Sequence, residues 1–71
     1  MKYKVGNIVI YDADHAELHL EILDISESEY RYKVEIVKVI RGDYEVGKET
    51  TVTDCPELEL LLRHNRNGAN T

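Results

Sequence analysis

Phenylalanine and tryptophan are absent from this chain of 71 residues, and cysteine, proline and methionine occur once each. Without Phe and Trp the core must be built from Val, Ile, Leu and Tyr. That palette fills a small β-sheet structure but not the deep pocket of a multilayer enzyme. A chain this short buries only about 60% of its unfolded surface, so one domain of modest stability is expected. The single cysteine excludes an internal disulfide and any zinc site with several cysteines. No run approaches the roughly 18 apolar residues that cross a bilayer. Met1-Lys2-Tyr3-Lys4-Val5-Gly6 has no apolar stretch behind it and does not read as a signal peptide. A reduced, cytoplasmic setting with no membrane partner is the expectation.

Positive charge is also missing over a long stretch. Asp12, Asp14, Glu17, Glu21, Asp24, Glu27 and Glu29 lie in a segment that holds no Lys or Arg. With a net charge of −5, the whole chain is poorly suited to ordinary phosphate-backbone binding. What it does contain is 42% hydrophobic and 32% charged residues, a globular rather than a disordered balance.

Apolar alternation organises the chain. Lys4 to Tyr11 reads as a first strand, and Asp12-Ala13-Asp14 as a loop. From Ala16 to Ile25, Leu18, Leu20 and Ile22 alternate with Glu17, His19 and Glu21, the period of a half-buried strand. The phase slips at Leu23. After a polar turn at Ser26 to Glu29, Tyr30, Tyr32, Val34 and Ile36 alternate with Arg31, Lys33 and Glu35, which makes core packing the default role of both tyrosines, and the phase slips again at Val37 and Val39. Two such slips predict bulges or bends that let one strand serve two faces of a small barrel. Turns at Arg41-Gly42-Asp43 and Val46-Gly47-Lys48 precede a strand from Glu49 to Thr53. Asp54, Pro56 and Glu57 then carry helix-start chemistry, with Leu58, Leu61 and Leu62 facing the core and Arg63 and His64 near the negative end. Residues 1–64 are expected to form one domain and 65–71 a flexible tail. A second reading of the acidic segment is a helix over 14–25, because Asp14-His15-Ala16-Glu17 also spells a capping box.

Val5-Gly6-Asn7-Ile8-Val9, Ile22-Leu23-Asp24-Ile25, Tyr32-Lys33-Val34, Val52 and the closing Glu57-Leu58-Glu59-Leu60 together resemble small SH3-like barrels of bacterial and phage accessory proteins. Those commonly open with Val-Gly-Asp-x-Val and close with a helical turn carrying Glu-Leu. Asn7 departs from that pattern, and the hairpin from Tyr30 to Val52 is long for it, a length also similar to part of an OB-like barrel. The fold expected is therefore mainly β: an SH3-like barrel of about five short strands with a short C-terminal helix. The OB-like barrel and an α+β fold with a helix near 14–25 are the alternatives. The resemblance implies a binding module without catalytic machinery, and fold alone does not choose its ligand.

The candidate chemistry is sparse. His15 and His19, four apart, would share a face on a helix, but on a strand they lie about 13 Å apart, too far to hold one metal. Cys55 would sit at a helix start, where amides lower a thiol's pKa, but no basic residue adjoins it. No nucleophile, base and oxyanion site come together, so no catalytic residue, metal or cofactor is assigned.

The acidic segment carries the functional expectation. On a strand, Glu17, His19 and Glu21 project at intervals of about 6.6–7 Å, near the phosphate spacing of a nucleic-acid strand. Glu17, His19, Glu21, Asp24, Glu27 and Glu29 are thus the expected protein-binding residues. They would dock on a larger protein with a basic surface, such as a DNA-binding protein or RNA polymerase, as an inhibitor or nucleic-acid mimic does. The alternative is a nucleic-acid-binding barrel using Tyr30, Arg31, Lys33, Lys38 and Arg41, with tyrosine as stacking platform. An unpaired edge strand leaves monomer and homodimer both open.

Overall fold

Two-residue alternation becomes extended backbone nearly throughout. In a computed structural model, which describes residues 2–61, the chain forms β1 (Ile8–Ala13), β2 (Ala16–Ser26), β3 (Arg31–Arg41), β4 (Glu49–Thr53) and β5 (Leu58–Leu60). All pairings are antiparallel, and the strands form one sheet in the order β4-β3-β2-β1-β5. Among the described residues no helix is long and apolar enough to cross a membrane.

One face of the sheet is the core. Leu18, Leu20 and Ile22 of β2 point inward with Val9 of β1, Tyr32, Val34 and Ile36 of β3, and Leu58 of β5. Tyr3 lies across this face and ties it together. Its N–H donates to the Tyr32 hydroxyl at 3.3 Å, and its own hydroxyl donates to the Leu58 carbonyl at 2.9 Å.

The phase slips of the sequence are register shifts in the β2–β3 ladder. Leu23 on β2 and Val37 and Ile40 on β3 have no register partner. Each inserted residue re-aims the side chains beyond it, so Val39 again faces inward opposite Leu18. The sheet also curls. The strands at its two edges, β4 and β5, are joined by residues 54–57 alone, folded back by a hydrogen bond from the Leu58 N–H to the Cys55 carbonyl. A flat five-stranded sheet measures roughly 19 Å from edge to edge, beyond the reach of so short a folded linker.

Several expectations are overturned. The sheet is open: β4 and β5 curl toward one another without pairing, so neither the SH3-like nor the OB-like barrel closes. Residues 14–25 are not helical, because every second side chain of Ala16–Ile22 is buried by sheet packing. The C-terminal helix is replaced by β5, whose Leu58 and Leu60 pair with Tyr11 and Val9. Joining an existing edge satisfies this backbone with three residues, where a helix would need a longer run. Leu62, Arg63, His64 and the tail 65–71 lie outside the described residues. Tyr30 is not a core residue either. It adopts the left-handed conformation (φ 54°, ψ 45°) after the 3₁₀ turn Glu27–Glu29, which swings its ring out to 69% exposure.

Candidate interaction surfaces

The outer face of the sheet places the predicted acidic residues in a register that the sequence did not disclose. Glu17, His19 and Glu21 alternate with buried Leu18, Leu20 and Ile22, so all three stand outward on extended backbone, as expected. They are not a continuous acidic ridge. Glu17 has Arg41 opposite it on β3, His19 has Lys38, and Asp24 has Lys33. On the other side, β1 sets Ile8 and Ile10 against Glu21 and His19. The Asp24 carboxylate also accepts from the Ile25 N–H at 2.8 Å. Glu27 and Glu29 sit apart from the strand, exposed on the turn.

Negative charge concentrates one position further in. Glu21 stands opposite Glu35, and Glu35 opposite Glu49, so three glutamates occupy neighbouring strands in one cross-strand row. Lys33 reaches Glu49 at 3.5 Å from the adjacent row. Glu35 and Glu49 were missed because strand alternation says which face a residue takes, not which residue it meets. Only the lengths and conformations of the two connecting turns fix that.

The alternative basic set is divided by this same row. Arg31 and Lys33 lie on one side of Glu35, Lys38 and Arg41 on the other. Arg41 is already engaged at the β1–β2 turn, donating to the Asp14 carbonyl at 2.7 Å and the Ala13 carbonyl at 3.1 Å, with Asp12 at 3.5 Å. Tyr30 is exposed beside Arg31, whereas Tyr32 is buried and cannot stack on a base.

A second surface follows from the curl. Thr51, Val52 and Thr53 of β4 face Tyr11, Cys55 and Glu57 across a cleft of about 500 Å³, with Arg31 on its lining. Tyr11, Thr51 and Val52 continue into a recess of about 200 Å³ lined also by His15, Leu20 and Tyr44. His15 links the aromatic rim, its ring centroid 6.1 Å from Tyr11 and 6.4 Å from Tyr44. His15 is in the β1–β2 turn and His19 on β2, so the shared helical face that would pair them does not exist. Burial pushes the Cys55 thiol above its ordinary pKa, the opposite of what a nucleophile needs.

The fold and these two surfaces define a small antiparallel β module. In comparisons with known proteins, no family model matches the chain, and no curated protein and no solved structure matches it either.

Proposed function

We propose that this protein is a non-catalytic interaction module that binds a larger protein with a basic surface through the outer face of its sheet, centred on Glu21, Glu35 and Glu49. The observation that carries this reading is the row itself. Like charges directly opposite one another across strands destabilise a sheet, and this sheet does so twice in succession. Among the described residues Lys33 offsets only Glu49, and no cation bridges Glu21 or Glu35, so the benefit of the arrangement lies with a partner. The net charge of −5 steers a basic partner toward encounter. Tyr30, turned outward by an αL backbone, supplies an aromatic contact at the end of the same sheet.

A DNA- or RNA-binding protein offers a surface of this kind, and the carboxylates would then stand where phosphates stand. The strand order and the opening Val5-Gly6-Asn7-Ile8-Val9 support reading the module as SH3-like, with its seam left open.

The test is affinity for the partner recovered from lysate, measured with purified components. Glu21→Lys with Glu35→Lys abolishes binding, and raising salt from low to about 0.5 M weakens it steeply. Binding that survives both changes refutes the acidic-face reading. Loss on Arg31→Glu with Lys33→Glu instead, together with direct oligonucleotide binding, selects the nucleic-acid alternative.

A further inference from the structure

The β3–β4 ladder fixes which way each backbone group of β4 faces. At one end the Ile36 N–H donates to the Lys48 carbonyl, and at the other the Asp54 N–H donates to the Tyr30 carbonyl, both at 2.9 Å. The register between them pairs Val34 with Thr50 and Tyr32 with Val52. Residues 50 and 52 therefore bond β3, and alternation turns the N–H and C=O groups of Glu49, Thr51 and Thr53 to the other side, which is free of any further strand among the described residues. Native edge strands are usually blunted by lysine, proline or a bulge. Glu49-Thr50-Thr51-Val52-Thr53 has no lysine or proline, its register is unbroken, and its one charge is tied to Lys33.

This free edge is not on an open flank. It forms one wall of the cleft whose other wall is Tyr11, Cys55 and Glu57. A second copy offering its own β4 would bring its β3 alongside and collide with that wall. A lone extended segment has no such neighbour. The walls also state its chemistry. Side chains turned inward meet Tyr11, Val52 and Cys55, which favours apolar residues there, while Arg31 and Glu57 line the rest of the cleft. A side chain turned outward beside Glu49 takes the next place in the row Glu21, Glu35, Glu49, where a cation is favoured.

We propose that the cleft takes up one extended segment of a partner protein as a sixth strand on β4, with alternate apolar residues against Tyr11 and Val52 and a lysine or arginine beside Glu49. The backbone pairing stands by itself; the cation at that position rests on the acidic-face reading given above.

The probe is the heptapeptide acetyl-Thr-Val-Thr-Val-Lys-Val-Thr-amide, which pairs antiparallel with its lysine opposite Glu49 and its first two threonines opposite Thr53 and Thr51, titrated into the protein at low salt and followed by amide NMR. The expected result is that Thr51 and Thr53 amide exchange slows by about tenfold or more on saturation. The same peptide N-methylated at its lysine and central threonine loses about tenfold or more in affinity, since those amides face β4. Exchanging its lysine for glutamate weakens it by about fivefold or more.

Shifts confined to Glu21, Glu35 and their neighbours, with Thr51 and Thr53 unchanged and N-methylation harmless, overturn strand addition and leave the acidic face intact. Tight binding of the glutamate peptide with Thr51 and Thr53 protected keeps the cleft and overturns the acidic-face reading. Protection of these amides without peptide, in a protein that sediments as a dimer, replaces the segment by a second copy. No binding at millimolar peptide overturns the proposal.

Discussion

Neutralising the middle of the glutamate row separates its cost to the fold from its use. Glu35 stands between Glu21 on β2 and Glu49 on β4, so Glu35→Gln removes two like-charge contacts while keeping the side-chain volume. At a cross-strand separation of about 5 Å, two unit charges in water repel by roughly 0.8 kcal/mol. Physiological salt leaves roughly half of that for each contact. Lys33, which reaches Glu49, offsets part of the sum. The net expectation is a gain of roughly 0.5 kcal/mol, a rise in Tm of about 2–4 °C for a domain of this size. Urea and thermal unfolding at low, physiological and about 1 M salt measure it. The gain should grow at low salt and vanish at high salt. A variant that is neutral or destabilised, or stabilised equally at every salt concentration, would show that the carboxylates do not repel one another and remove the argument for a partner.

Gly42→Ala should destabilise by about 1–3 kcal/mol, because Gly42 has φ +115° and an added Cβ would stand 3.0 Å from the Ala16 Cβ; urea midpoints test this. Tyr32→Phe strips the buried Tyr3 N–H of the hydroxyl it donates to, a loss of about 1–3 kcal/mol measurable in the same way. Burial raises the phenol pKa values of Tyr3, Tyr11 and Tyr32 above the ordinary 10.0. The unfolded chain therefore releases these protons first, so their contribution is complete below pH 10 and stability falls as pH rises beyond it. Parallel tyrosinate absorbance and circular dichroism across that range check the sign, and stability that increases there contradicts it. Cys55, its thiol pKa raised chiefly by burial, should alkylate more slowly in the folded protein than in urea at the same pH.

How far the sequence could be read depended on whether the deciding contact was local. β2, β3 and β4 were legible because alternation is a property of each segment alone. Even the bulges were visible, since an inserted residue displaces the apolar phase where it occurs. β5 was not legible. Asp54, Pro56 and Glu57 carry real helix-start chemistry, and only the waiting edge of β1, some fifty residues away in sequence, pulls Leu58–Leu60 into a strand. Tyr30 was misassigned for a related reason: period two put its ring inside, and one left-handed residue at the turn put it outside. At the candidate site, the outward stance of Glu17, His19 and Glu21 was readable, while their facing residues were not. The opposing lysines and arginines that interrupt the ridge, and the glutamates that relocate it, are consequences of turn geometry.

The pairing of Val9 with Leu60 has a consequence for biosynthesis. A ribosome delivers β1 well before the strand that seals its outer edge, so the nascent chain holds an adhesive border bare while the intervening strands are made. During that interval Tyr3 also lacks the Leu58 carbonyl that anchors its hydroxyl. Prematurely terminated chains ending before Leu58 would carry the same bare border permanently, and such fragments would stick to one another.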